Sequence, residues 1–348
     1  MKKVKHILLS TFAVSLALSL SVQAASANGA ASSAKPEVRA QAALKFKDIN
    51  DAPWAEGNIL KMQSKHVFQG FEDGTFRPNK PVTRVEAIVM AVRLMGLDEE
   101  AKSKSASPNL PFQDADHLSK KYPWAAGYVA TALEHGLLDA NEKIQPEKPA
   151  SRVWVSSLLV KSLGFEKEAS AQTAAKLSFK DSSAIPAASV GYVKVAMEKG
   201  LISGYPNGTF LPNKGVTRAE MAALLDRTNE DLMEKAGAVK VNGTVKEISF
   251  PAASVTADTY GEIKIETANQ EIGTFKIESG LLVGYHNKAI KADQLAVNDK
   301  VVLTVLDQKV VDARLLASKG SEKPAANDQP QKAENAGNGK KSDKKTGK

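Results

Sequence analysis

A short stretch is written three times along the chain: Thr83-Arg84-Val85-Glu86, Ser151-Arg152-Val153-Trp154 and Thr217-Arg218-Ala219-Glu220. Each arginine stands six residues after a proline, Pro78, Pro146 or Pro212. Upstream, the openings Phe46-Lys47-Asp48, Phe112-Gln113-Asp114 and Phe179-Lys180-Asp181 recur at steps of 66 and 67 residues. Self-similarity of this kind limits the fold more than any composition does. One helix–turn–helix unit of this size cannot bury its own apolar stripe, so the copies must bury theirs against each other.

Each copy reads as two helices joined by a loop. The first begins at Trp54-Ala55-Glu56-Gly57, Trp124-Ala125-Ala126-Gly127 or Ala188-Ser189-Val190-Gly191. It ends at Gly136 in the second copy and Gly200 in the third, where glycine serves as a left-handed cap. His66 holds the equivalent place in the first copy, and histidine is among the non-glycine residues enriched at positive φ, which favours a cap over a ligand. The second helix follows the arginine motif, with Val85, Ile88, Val89, Val92 and Met95 at helical spacing. Val155, Leu158, Leu159 and Leu163 repeat the pattern, as do Met221, Leu224 and Leu225.

The motif itself is half explained by local physics. Thr83 with Glu86, and Thr217 with Glu220, form Ser/Thr-x-x-Glu capping boxes that satisfy orphan amides at the helix start. The arginine is not explained this way, because a cation in the first turn opposes the helix dipole. Three such cations point to an anion. The loops Gly70-Phe71-Glu72-Asp73-Gly74-Thr75-Phe76-Arg77-Pro78 and Gly204-Tyr205-Pro206-Asn207-Gly208-Thr209-Phe210-Leu211-Pro212 carry the turn dipeptides Asp-Gly and Asn-Gly. Glu72 and Asp73 lack the alternating oxygens of a calcium loop, so no metal is expected.

Taken together, Phe-x-Asp, Trp-Ala-x-Gly, Gly-Tyr-x-x-Gly-Thr-Phe-x-Pro and Thr-Arg-Ala-Glu resemble the surface-layer homology domain of bacterial cell-surface proteins, in three copies over residues 46–227. The resemblance implies a pseudo-threefold all-α trimer of helix–loop–helix repeats around a central three-helix bundle, with grooves between neighbouring copies. It also implies non-covalent binding of secondary cell-wall polysaccharide linked to peptidoglycan, typically through pyruvylated amino sugars. A pyruvyl ketal carries a carboxylate that a guanidinium fork matches bidentately. A tryptophan can cover a sugar face, and glycine lets backbone approach the ligand. The implied binding residues are Arg84, Trp124, Gly70, Phe71, Arg218, Trp54, Gly204, Tyr205 and Arg152.

The copies are unequal. The second turn, Leu138-Asp139-Ala140-Asn141-Glu142-Lys143-Ile144, is shorter and lacks Gly-Tyr, and Trp154 replaces the box glutamate. In the third copy Ala188 stands where the others have Trp54 and Trp124. If each groove joins the arginine of one copy to the tryptophan of the next, Arg84 meets Trp124, Arg218 meets Trp54, and Arg152 meets only Ala188. Two well-equipped grooves are expected on that pairing. Core packing at the helix start is the competing explanation of Trp54 and Trp124.

The remaining segments complete an α+β multidomain chain. Residues 1–27 read as a secretory signal peptide, with basic Lys2, Lys3 and Lys5, an apolar Ile7–Val22 and a small-residue cleavage site at Ala25-Ser26-Ala27, cleavage after Ala24 being an alternative. Residues 28–45, 98–110, 166–177 and 228–237 read as linkers between repeats at 46–97, 111–165 and 178–227. No later stretch is apolar enough to span a membrane. The formal charge of +8 resides mostly in the leader and in the tail 319–348, where eight lysines face four acidic residues. The body is near neutral, which excludes a basic nucleic-acid face. The tail has a composition that cannot pay for folding, and serves either as a solubilising end or as a loose attraction to anionic wall polymer.

From residue 238 to 318 the periodicity turns to alternation, as in Glu262-Ile263-Lys264-Ile265-Glu266 and Val301-Val302-Leu303-Thr304-Val305. A small antiparallel β barrel or sandwich is expected, and its own partner stays open. No catalytic or cofactor constellation is present in the pattern. The alternative function is a wall-lytic glycoside hydrolase using Glu262, Glu266, Glu271 or Glu278, since such chemistry needs paired carboxylates. At strand spacing these read as a solvated sheet face.

Overall fold

A computed structural model describes residues 46–104, 109–141, 143–250, 260–278 and 280–318. Residues 1–45, read above as a signal peptide and spacer, and the tail from 319 lie outside the described residues. The helices are α1 (Glu56–Ser64), α2 (Arg84–Leu94), α3 (Asp98–Ser103), α4 (Ala115–Lys121), α5 (Pro123–Glu134), α6 (Arg152–Ser162), α7 (Glu166–Ala171), α8 (Ala187–Glu198) and α9 (Arg218–Lys235). Seven strands follow: β1 (Val239–Ser249), β2 (Tyr260–Glu266), β3 (Ile272–Glu278), β4 (Leu282–Tyr285), β5 (Lys288–Lys291), β6 (Lys300–Leu306) and β7 (Lys309–Ala317). The chain is therefore α+β. None of the helices among the described residues is long and apolar enough to cross a membrane.

The motif helices α2, α6 and α9 start at the arginine and bury most of their residues, as helices at the centre of a core do. Each packs against the first helix of the next copy: α2 on α5, α6 on α8, and α9 back on α1. The extended residues just before the motifs knit the copies together. The Val82 N–H donates to the Val216 carbonyl at 2.9 Å, Val216 N–H to Ala150 at 2.9 Å, and Ala150 N–H to Val82 at 2.8 Å. The three bonds form a closed ring, so no copy can leave without breaking two of them.

Three segments read as linkers are helical. In α3 and α7 an acidic first turn suits the dipole, and each buries one alanine, Ala101 or Ala169. Their apolar content is too small to show as periodicity. The helix α9 runs on to Lys235 through Asp226-Arg227-Thr228-Asn229, where the apolar stripe fades. Asp226, Thr228 and Asn229 are nevertheless buried, Asp226 paired with Lys61 and the Thr228 hydroxyl bonded to the Leu224 carbonyl.

The sheet has the order β3-β2-β1-β6-β7-β4-β5. It is mixed, not antiparallel as expected: β4 runs parallel to β7 at Val283↔Ala313, and β3 also meets β7 in parallel at Lys276↔Lys309. The hairpin β4–β5 went unread because its strands have four residues each, too short for an alternation signal. Val245, Ile263, Ile265, Ile277, Val283, Val301 and Leu303 fill the inside of this module.

The β module is docked on the first copy. In the second and third copies, the short helices lay the carbonyls of Ala101 and Ala169 against Gly127 and Gly191, so close that an added Cβ would stand 2.2 and 1.8 Å away. At the equivalent Gly57 the visitor is the β4–β5 hairpin: the same test puts Lys288 O at 2.8 Å, and the Gly57 N–H donates to Asn287 O at 2.7 Å. The hairpin thus fills the place that a short helix fills in the other copies. Below it, Lys61 Nζ lies 2.9 Å from Asp226 and 2.9 Å from Asp312 of β7, all three side chains buried. Lys65 donates to the Val311 carbonyl at 3.0 Å.

Candidate functional site

The aspartate of each Phe-x-Asp opening holds the turn before the proline that recurs in each copy, Pro78, Pro146 or Pro212. Asp48 accepts from the amides of Phe76 and Arg77, both at 2.7 Å. Asp114 accepts from Ile144 and Gln145, and Asp181 from Phe210 and Leu211. The second residue of each pair has positive φ: 57° at Arg77, 51° at Gln145 and 55° at Leu211. Non-glycine residues there are strained, and two charge-assisted hydrogen bonds hold them in place.

The arginine of the preceding copy reaches the same peptide from the other side. Arg218 Nε donates to Phe76 O at 2.6 Å and Nη2 to Gln69 O at 2.7 Å. Arg152 repeats this with Phe210 O and Ser203 O, both at 2.7 Å. The two residues are only 6% and 4% exposed for Arg152 and Arg218. Burial lowers the Arg218 pKa to about 10, against the opposing pull of Glu86 and Asp48, and lowers that of Arg152 too. Both remain cations at neutral pH. The expectation that the arginine lacks a structural task is thus corrected at these two positions: the guanidinium locks one copy to the next. Its cationic place in the first turn is balanced by carbonyl oxygens of the neighbouring loop.

Arg84 is different. It is half-buried, and its Nη1 stands at 3.4 Å from Ile144 O and 3.5 Å from Lys143 O, longer than in the other two junctions. The aromatic ring next to each guanidinium is also informative. Arg218 lies over Phe71, Phe76 and Phe68, and Arg152 over Tyr205 and Phe210. Arg84 lies over Trp154, 5.1 Å from its centroid. In the third copy the Tyr205 hydroxyl donates to Glu220 at 3.4 Å, so tyrosine and box glutamate are neighbours. The second copy lacks both, and Trp154 at the glutamate position supplies the ring alone. What reads in sequence as a loss is a replacement. The capping boxes at Thr83 and Thr217 are complete, while Ser151 makes no side-chain cap bond.

The rings under the guanidinium groups are those of the loop residues and Trp154. Gly70 and Gly204 also have another role than ligand approach. An added Cβ would stand 2.3 Å from the Phe46 ring and 2.4 Å from the Phe179 ring, so the motif phenylalanines fill that space. His66 takes φ 58° where Gly136 and Gly200 take 73° and 70°. Trp54 is half-buried against the core. Trp124 is 54% exposed, edge-on to Tyr122.

Two clefts stand beside these residues. One, about 290 Å³, lies in the loop that receives the Arg84 backbone, among Asp114, His117, Gln145, Pro146, Glu147 and Lys148. Its charges are paired, Glu147 with His117 at 3.2 Å and with Lys121. The other lies at Trp54 and the β4–β5 hairpin. Glu266 pairs with Lys246 at 2.6 Å, and Glu262 stands opposite Lys276 across β2–β3.

Comparison with known proteins bears on the first and third copies. The S-layer homology domain matches residues 45–88 and 178–222. The chain is 28% identical over 219 residues to a cellulosome-anchoring protein of Acetivibrio thermocellus, covering 60% of this chain and 46% of that one. It is 26% identical over 198 residues to S-layer protein EA1 of Bacillus anthracis, covering 56% and 21%. An amylopullulanase of Thermoanaerobacterium thermosulfurigenes is 28% identical over 193 residues, covering 55% of this chain and 10% of the enzyme. The chain thus spans about a tenth to a half of the length of these relatives. It carries an S-layer homology domain at two sites, and its relatives include proteins named as S-layer and cellulosome-anchoring proteins.

Proposed function

From the S-layer homology match at two copies, we propose that the chain is an exported, non-catalytic envelope protein anchored to the wall by pyruvylated secondary polysaccharide. In this reading the second copy is the third repeat of a pseudo-threefold trimer, and its divergence is the Trp154 exchange. The polysaccharide lies in the junctions between copies. Arg84 and Trp124 dominate at the first junction, and Trp54 with the Phe71–Arg218 cluster contributes at the closing one. Gly70, Gly204, Tyr205 and Arg152 act mainly by shaping the loops. The β module, closed on itself as a small barrel, rides on the first copy.

The observation that carries this reading is the contrast at the first junction. Arg84 alone among the motif arginines is half-exposed, and Trp124 is the most exposed tryptophan-bearing helix start. A half-exposed cation over the Trp154 ring suits an acidic sugar, and the open face of Trp124 suits a sugar ring. The test is co-sedimentation of the full chain with purified wall sacculi before and after removal of the secondary polymer. Binding is expected only before removal. Undiminished binding to stripped sacculi overturns the ligand assignment.

The rival reading is a wall-lytic enzyme, favoured by relatives that are named as enzymes, such as the amylopullulanase. Zymography of the full chain on wall material is expected to show no clearing. Clearing lost on changing Glu262, Glu266, Glu271 or Glu278 to Gln would install the enzyme.

A further inference from the structure

The cleft at the docked hairpin, about 530 Å³, is walled by the rings of Trp54, Tyr285 and His286, with Glu56, Asn287 and Lys288 beside them. It is built by two modules. Trp54 comes from the start of the first copy, and the other rings come from the tip of β4–β5, fixed there by the Gly57 N–H bond to Asn287 O at 2.7 Å. The tip is a two-residue turn, His286-Asn287, between the paired residues Tyr285 and Lys288. A turn this tight favours glycine or asparagine where φ is positive. The chain instead holds His286 at φ 52°, with its ring 4.4 Å from that of Tyr285. Histidine tolerates this conformation better than most side chains, as at His66, and here its ring also lines the cleft.

We propose that this cleft binds a pyranose unit of a wall glycan, so that the β module supplies half of a carbohydrate site. The chemistry of the walls selects the occupant. Flat aromatic faces cover the C–H faces of a sugar ring, while a carboxylate, an amide and an ammonium at the rim take its hydroxyls. An extended proline-rich peptide needs a longer groove than one helix start and one turn provide. The volume lies within the range of small-ligand sites. The inference rests on the wall-binding reading, but on different residues from Arg84 and Trp124.

The test uses the full chain with ¹⁵N-labelled tryptophan, following the three indole N–H signals, assigned by single Trp→Phe variants. N,N′-diacetylchitobiose, cellobiose and a proline decamer are the probes, at millimolar concentration. The Trp54 indole signal is expected to move with one or both disaccharides. In Tyr285→Ala the affinity should fall about tenfold. His286→Gly keeps the turn geometry and should also weaken binding, which separates loss of the ring from loss of the fold. The inference is overturned if the Trp54 signal stays still with both sugars, if it responds only to the proline decamer, or if Tyr285→Ala and His286→Gly bind as the parent does. Sedimentation with intact sacculi by the same preparations then shows whether the wall-binding reading survives that failure.

Discussion

Asp48 and Arg218 hold opposite ends of one peptide group, that between Phe76 and Arg77: the carboxylate accepts the Arg77 N–H at 2.7 Å, and the guanidinium donates to the Phe76 carbonyl at 2.6 Å. They are far apart in sequence and belong to the first and third copies. The two most recognisable motifs of the chain thus meet at a single backbone position. The same meeting recurs at the peptide between Phe210 and Leu211, held by Asp181 and Arg152.

This predicts that the two residues act together on stability. Asp48→Ala removes two charge-assisted bonds from a strained turn and should cost about 2–3 kcal/mol, a fall in Tm of roughly 5–10 °C for a body of this size. Arg218→Ala leaves two carbonyls without donors and should cost a similar amount. Because both act on one peptide, the double variant should cost less than the sum, with a coupling of about 0.5 kcal/mol or more. Urea denaturation measures all three. Additive costs would mean that the shared peptide does not couple them.

The arginines should separate by what they lose. Arg152→Ala and Arg218→Ala should melt early. Arg84→Ala should melt close to the parent yet bind a short pyruvylated wall fragment more weakly, by roughly tenfold to a hundredfold for a lost charge-assisted pair. Calorimetry with that fragment, beside thermal melts, checks both halves. An early-melting Arg84→Ala with unchanged affinity would place its role in the core.

Much of this was legible in the chain. The repeats, the two capping boxes, the His66 cap and the onset of strands at residue 239 follow from spacing and turn chemistry, which are local. The task of Arg152 and Arg218 was not, because their partners are backbone carbonyls, which every residue owns and no sequence pattern marks. Trp154 looked like decay for a related reason: it fills a volume that another copy fills with Tyr205 and Glu220, and only geometry shows the exchange. The hairpin at Gly57 was equally hidden. Its contact joins residues more than two hundred positions apart, and its strands are too short to alternate visibly.

The docking glycines yield a graded prediction. Gly191→Ala drives a Cβ to 1.8 Å from the Ala169 carbonyl and should cost about 1–3 kcal/mol as overpacking. Gly57→Ala meets Lys288 O at 2.8 Å, a milder clash with a hairpin that can shift. It should leave the helical core's melt little changed while raising amide exchange across Lys288–Lys291. Hydrogen exchange by mass spectrometry distinguishes the two. Protection at the hairpin equal to the parent's would show that the contact at Gly57 does not hold the β module.

The buried triad of Lys61, Asp226 and Asp312 predicts a pH dependence. Burial works to lower the Lys61 pKa, but the two carboxylates outweigh it and hold the ammonium charged. One cation cannot serve two anions equally. For Asp312 burial is the largest influence and raises its pKa above the ordinary value, with Lys61 opposing. A carboxyl raised in the folded chain keeps its proton at a pH where the unfolded chain has released it. Its contribution therefore weakens folding as pH rises through the folded-state value, and that penalty disappears as pH falls toward the ordinary carboxylate range near 4. Asp312→Asn has no such term. The parent should thus gain stability relative to Asp312→Asn on going from pH 7.5 to pH 5, against the usual acid trend for paired carboxylates. Thermal melts of the two proteins across that range give the answer. A parent that loses ground to Asp312→Asn as pH falls would mean that Lys61 outweighs burial at Asp312, and that the ion pair stabilises the docked β module at neutral pH.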